Sequence, residues 1–233
     1  MRRWVPWLLA GLALLPVLAI SGMYWALSNP GGEPLPLPAS AIALDSPAGT
    51  ALLAGAEGRT DHEGLMDAFE PQQKGSWCGV ASSVAVLRAR GADLDQPGFF
   101  TDATSEVRSW TSITFGGMPL TDLGGLLRAH GARATVHHAG DHDVETFRAE
   151  VARNLDTSGD WLIVNYDRRA VGESGGGHIS PLTAYDADRD LVLLLDTAAY
   201  KYPPHWVPVA DLFTAMATVD SESERTRGWV VVR

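Results

Sequence analysis

A single cysteine, Cys78, is the feature that most limits how this chain can hold itself together. One thiol cannot form an internal disulfide, and structural zinc sites ordinarily take two or more cysteines. The fold must therefore rest on a packed apolar core. At 233 residues there is enough chain for one well-buried domain and too little for two large ones. Cys78 lies in Gln72-Gln73-Lys74-Gly75-Ser76-Trp77-Cys78-Gly79-Val80-Ala81-Ser82, where a loop passes into an amphipathic helix. The thiol is then either an inert buried group or a nucleophile.

The rest of the chain changes character near its middle. Ser46-Pro47 supplies an N-cap and a first-turn proline for a helix through residue 56. After Cys78, Val80, Val84 and Leu87 recur at helical spacing, and Gly91 is the natural stop. Leu120, Leu123, Leu126 and Leu127 mark a third helix ending before Gly131, and Asp143 caps a fourth over 144–155. Residues 161–166 then read as a buried strand, 178–185 as a second, and 190–197 as a third after a turn at 186–189. A helix over 209–217 and a strand over 228–233 follow. Helices first and an antiparallel sheet second predict an α+β fold with the two parts segregated.

The N-terminus is of a different kind. Arg2 and Arg3 precede an uncharged apolar stretch, residues 4–27, with aromatics at both ends (Trp4, Trp7, Tyr24 and Trp25). About twenty apolar residues span a bilayer, so the stretch predicts a single-pass signal-anchor over 1–28, with a cleaved signal peptide as the rival. A bacterial inner membrane with the body facing the periplasm follows, or a secreted periplasmic protein if the segment is cleaved. Residues 29–38, rich in Pro and Gly, read as a linker. The net charge of −10 carries no basic run, which argues against nucleic acid as a partner.

Candidate chemistry converges on three side chains. A cysteine at a helix N-terminus has its thiolate favoured by the helix dipole and free amide N–H groups. If the hairpin turns at 186–188, His178 lies opposite Asp196, close enough for imidazole to donate to carboxylate. Acid, histidine and thiol in series are the set used in covalent acyl transfer. The Cys78 amide and the Gln72 side chain could donate to an oxyanion. Without the cysteine, His178 and Asp196 would be an ordinary surface pair.

These residues resemble a known family. Phe69-Glu70-Pro71-Gln72, Cys78-Gly79-Val80-Ala81-Ser82, Gly177-His178-Ile179-Ser180-Pro181, Leu195-Asp196 and Lys201-Tyr202-Pro203-Pro204-His205-Trp206-Val207-Pro208 are similar to the catalytic domain of phytochelatin synthase, from about Leu35 onward. The resemblance implies a papain-like cysteine-proteinase fold, with a helical lobe carrying the nucleophile and a β lobe carrying His and Asp. It implies a catalytic domain over 39–233 and a glutathione γ-glutamylcysteinyltransferase. In it Cys78 is the nucleophile, His178 the base, Asp196 its orienter, Gln72 the oxyanion glutamine, and Asp220 and Arg227 bind substrate. An Arg fork suits the α-carboxylate of a γ-glutamyl group and an Asp its ammonium. No cofactor is implied, and metal ions such as cadmium or zinc would enter as glutathione thiolates. The plant-type members' further cysteines are missing here, which bears on metal enhancement and chain elongation; the resemblance implies a thioester that either water or a second glutathione would resolve. The alternatives are an exported papain-like peptidase for other small peptides, or an anchored module that binds a thiol ligand without turnover. The oligomeric state is not readable.

His137, His138, Asp141, His142 and Asp143 form a cluster of ligand-type residues, but without a fixed ligand spacing they are expected to end a strand and cap a helix. His205 is expected to fix the loop after Asp196.

Overall fold

The computed structural model describes residues 22, 31 and 33–233. Its first half is helical: a two-residue strand β1 (Ile42–Ala43) precedes α1 (Pro47–Gly55), α2 (His62–Ala68), α3 (Cys78–Ala89), α4 (Asp102–Val107), α5 (Trp110–Gly116) and α6 (Leu120–Ala129). The second half holds β2 (Ala134–His138), α7 (Val144–Leu155), β3 (Trp161–Asp167), β4 (Gly177–Asp186), β5 (Leu191–Leu194), β6 (His205–Pro208), α8 (Val209–Met216), the small pair β7 (Val219–Asp220) and β8 (Arg225–Thr226), and β9 (Gly228–Val232). Seven strands form one antiparallel sheet in the order β1-β6-β5-β4-β3-β9-β2. The α+β class read from the sequence is the class observed, with the thiol on a helix of the first half and the imidazole on the sheet, as in a papain-like fold.

Local chemistry accounts for the elements. Ser46 caps α1 by accepting from the Gly49 amide at 3.0 Å, and Asp143 caps α7 by accepting from Thr146 at 2.8 Å. After α3, Gly91 takes a φ of 93°, a region closed to most side chains and suited to a helix stop. The sheet is buried on both faces, and side chains of β3 alternate between them. Trp161 and Ile163 pack with α3 and α6 residues such as Val84 and Leu126, while Leu162, Val164 and Tyr166 pack with Phe147 and Val151 of α7 and Leu212 of α8. Continuous apolarity in β3 follows from this two-sided burial.

Two sequence expectations are corrected here. The β4–β5 hairpin turns at 187–190, not 186–188, because the Asp186 carboxylate accepts from the Arg189 amide at 2.9 Å and Asp190 adopts a φ of 53°. With a bulge between Leu182 and Ala184, Leu182 pairs with Leu194, and the ladder partner of His178 is Tyr166 on β3, not Asp196. The strand expected over 190–197 stops at Leu194, so Asp196 lies in the loop that follows.

Among the described residues no helix is long and apolar enough to cross a bilayer; α3 and α7 reach 12 residues, where about 20 are needed. The single-pass inner-membrane placement with a periplasmic domain, and the lipid bilayer as a partner, are not supported. Of the stretch 4–27 that motivated them, only residue 22 is among the described residues. Part of the expected linker packs on the domain: the Leu35 amide donates to the Lys201 carbonyl at 2.9 Å.

Candidate active site

Cys78 is the first residue of α3, and the segment before it is fixed from several sides. Trp77 is buried and its indole N–H donates to Thr114 Oγ1 at 3.1 Å, while Ser76 Oγ donates to the Thr114 carbonyl at 2.6 Å. The buried face of α3 then packs the helix against β4, and Ser82 Oγ donates to the Ile179 carbonyl at 3.0 Å. That bond lies one residue from His178. Nucleophile-bearing helix and histidine-bearing strand are therefore joined directly.

His178 Nε2 lies 2.9 Å from Asp196 Oδ1, which leaves Nδ1 as the ring nitrogen for the Cys78 thiol. Asp196 reaches the ring from a loop. Its Oδ1 accepts from the Ala198 amide at 2.8 Å, and the Thr197 carbonyl accepts from the Gln72 amide at 2.8 Å, so the loop is pinned to the segment before α3. The three side chains expected to meet do meet, although through a route the hairpin register did not supply.

The charges around the thiol are ordered. Burial pushes the Cys78 pKa up, but the hydrogen bond and charge of His178, the Ile179 amide and the Arg168 charge outweigh it and leave it lowered. Burial pushes His178 down, and the Asp196 carboxylate overcomes this and leaves it raised. Asp196 is also opposed by burial, yet His178, Arg168 and His205 hold it well below the usual carboxylate range. A proton on the imidazole and none on the sulfur is the arrangement these fields favour. The sign for pH dependence follows. Thiolate persists to lower pH than an ordinary thiol, and imidazolium to higher pH than an ordinary histidine. Turnover is expected to be bell-shaped, with the acid limb below the ordinary thiol range and the alkaline limb above the ordinary histidine range, both belonging to the pair. A pH series of kcat/KM with an acid limb at or above the ordinary thiol value would contradict it.

A cleft of about 390 Å³ opens beside the sulfur, lined by Cys78, Asn165, Gly177, His178, Asp220 and Arg227 among others. Arg227 is buried; its Nη1 donates to Thr218 Oγ1 at 2.9 Å and to the Val219 carbonyl at 2.8 Å, while its Nε has no partner. Gly177 makes this possible, since a Cβ there would lie 3.1 Å from Arg227 Nη2. Asp220 stands at the end of β7, its Oδ1 accepting from the Glu222 amide at 3.0 Å. Gln72 is buried outside the cleft lining; its Nε2 donates to the carbonyls of Lys74 and Gly75, each at 2.9 Å, and its Oε1 accepts from Thr197 Oγ1 at 3.2 Å.

Two charged residues at this site escaped the sequence reading. Arg168 opens the short 3₁₀ turn after β3, Glu173 follows it, and both are buried. Arg168 Nη2 donates to Asp196 Oδ1 at 2.8 Å and lies 2.7 Å from Oδ2, its Nη1 donates to Glu173, and its guanidinium stacks 5.1 Å from the Tyr202 ring centroid. Glu173 in turn contacts His205. The Lys201–Pro208 stretch thus walls the far side of Asp196, a larger role for His205 than fixing a loop.

Among the described residues, Glu173, Asp196 and His205 bring ligand atoms within 4.8 Å of one another, but the Arg168 guanidinium already faces both carboxylates, so a second cation does not fit. In the other cluster, His138 bonds the Thr226 carbonyl at 2.6 Å, Asp141 pairs with Arg225 at 2.9 Å, and His137 stacks 5.2 Å from the Trp229 ring centroid.

Comparison with known proteins adds the relatives. A family model described as phytochelatin synthase matches residues 33–229. The chain is 33% identical over 210 residues to glutathione gamma-glutamylcysteinyltransferase 3 of Lotus japonicus, covering 85% of this chain and 43% of that protein. It is 30% identical over 179 residues to glutathione gamma-glutamylcysteinyltransferase 1 of Arabidopsis thaliana (72% and 36%), and 25% identical over 210 residues to the Schizosaccharomyces pombe glutathione gamma-glutamylcysteinyltransferase (84% and 50%). The chain therefore spans half or less of the length of these relatives.

Proposed function

This chain belongs to the phytochelatin synthase family, and from that premise we propose that it is a glutathione-directed acyltransferase working through Cys78. The observation that carries the proposal is a thiol, an imidazole and a carboxylate in series, opening on a cleft that also holds Arg227 and Asp220. The Cys78 thiolate attacks the carbonyl carbon of the Cys–Gly amide of glutathione. Negative charge develops on the carbonyl oxygen at the start of α3, where the Cys78 amide N–H can donate. Gln72 is the second donor; its amide exchanges one of its two carbonyl partners for the oxyanion. His178 gives its proton to the departing glycine nitrogen, the C–N bond breaks, and a γ-glutamylcysteinyl thioester remains on Cys78. The neutral imidazole then takes a proton from the acceptor. Water yields γ-glutamylcysteine, and the amine of a second glutathione yields a longer γ-glutamylcysteinyl peptide, with metal ions entering as thiolates of that substrate. Asp196 keeps the imidazole oriented throughout.

Arg227 and Asp220 are assigned to the γ-glutamyl end, guanidinium to carboxylate and carboxylate to ammonium. Arg227→Ala is expected to raise KM for glutathione about 10–100-fold, the worth of a charged hydrogen bond, with kcat changed less. The unit proposed to act is 39–233. A peptidase for other small peptides is not favoured, since the relatives are named as transferases.

The test is incubation of the full chain with glutathione, with and without Cd²⁺, and separation of products by mass. Glycine release with γ-glutamylcysteine or its oligomers is expected; no glycine under any condition overturns the proposal.

A further inference from the structure

Glu173 and His205 are fully engaged with the site yet touch none of its reacting atoms. His205 Nδ1 lies 2.8 Å from the Pro203 carbonyl, which can only accept, so that nitrogen carries a hydrogen. Its other nitrogen, Nε2, lies 2.9 Å from Glu173 Oε1. Both atoms are buried and neither has another hydrogen-bond partner. A neutral His205 facing an ionised Glu173 would set two lone pairs against each other in a site without water-like relief. A proton between them removes that conflict. Charge balance points the same way: one guanidinium, Arg168, faces two carboxylates, Glu173 and Asp196, and one further proton brings the buried group to neutrality.

We propose that Glu173 and His205 hold one proton between them and act as a positioning unit, leaving the Arg168 charge to Asp196 and so setting the field at the Cys78–His178 pair. The groups facing this unit are Arg168 from the turn after β3, Asp196 from the loop after β5, and the phenols of Tyr166 and Tyr202, while His178 of β4 bonds Asp196. Without the proton, a net negative charge would stand behind Asp196 and disfavour the thiolate. The inference deepens the proposed function and rests on its Cys78–His178 pairing.

The test is the rate of iodoacetamide alkylation of the full chain across pH, which reads Cys78 alone because the chain has one cysteine. In Glu173→Gln the amide oxygen can accept from Arg168 and the amide N–H can donate to a neutral His205. Charge is conserved, and the alkylation midpoint is expected to stay within about 0.3 pH unit of the parent. In His205→Gln the carboxylate of Glu173 stays ionised against Arg168 with no proton to balance it. The midpoint is expected to rise by about one pH unit, making alkylation about tenfold slower at a fixed pH below it. The double variant E173Q/H205Q is neutral again and returns to the parent midpoint. If no proton is shared the pattern inverts, with E173Q moving down and H205Q unmoved, and the proposal is overturned. It is equally overturned if no variant moves the midpoint, or if metal analysis of the purified chain finds a stoichiometric cation lost in these variants. Should H205Q fail to fold, E173Q decides alone: an unmoved midpoint supports the shared proton and a downward shift rejects it. Alkylation requires no glutathione. A chain that releases no glycine would therefore reject the transferase assignment while leaving this measurement interpretable.

Discussion

Cys78→Ala is expected to release no glycine from glutathione above the uncatalysed background, and Cys78→Ser to lose at least about 10⁴-fold in kcat. The serine variant is the more informative. It exchanges one atom, keeps the start of α3 intact, and leaves His178, Asp196 and Arg168 in place. What it removes is a group that those three can ionise near neutral pH: a hydroxyl lies far above the range over which they act. Alkylation vanishes in both variants because no other cysteine exists. A melting temperature close to the parent's would separate lost chemistry from lost fold. Glycine release by Cys78→Ser within tenfold of the parent would refute covalent catalysis through this residue.

Arg168→Met is expected to be the most damaging substitution away from the thiol. It keeps most of the apolar stem and deletes a guanidinium that faces Asp196 and Glu173, both buried. Removing one partner of a buried ion pair costs about 3–5 kcal/mol, because the remaining charges have no solvent to turn to. For a chain of this size that is a fall of about 10 °C or more in Tm. Activity should fail separately from stability. The Arg168 charge is among those that lower Cys78, so its loss moves the acid limb of the pH profile upward even at temperatures where the variant is folded. A variant with the parent's Tm and acid limb would show that Arg168 is a bystander.

The contrast between Cys78 and Arg168 explains what the sequence made legible. Cys78 stands where loop composition gives way to helical spacing at Val80, Val84 and Leu87, a signal that survives without coordinates. Trp161 to Tyr166 alternate between two apolar faces, and a run of that kind is visible as a buried strand. Arg168 and Glu173 belong to a turn with no period, where two charges read as solvated surface. Helices α2, α4 and α5, at six or seven residues, are too short to display a stripe. Asp196 reaches His178 by a route that strand alternation does not display. A bulge at Leu182/Ala184 and a later turn displace the register from the one alternation predicts, and the carboxylate arrives through the loop held by Ala198 and Gln72. Gln72 shows the same limit from the other side. Its place in the motif was readable, but the engagement of its amide by Lys74 and Gly75 depends on how the loop folds back.

The position of β9 has a consequence for synthesis. This strand lies between β3 and β2, and Arg227 immediately precedes it. On the ribosome, α3 with its sulfur emerges roughly 150 residues before Val232, about 8–30 s earlier at common elongation rates. Until then β3 has an open edge, β2 has no partner, and the wall of the cleft formed by Arg227 does not exist. A nascent chain therefore exposes a thiol without its pocket, and the reactive centre is completed only when β9, made after the other six strands of the sheet, slides in between β3 and β2.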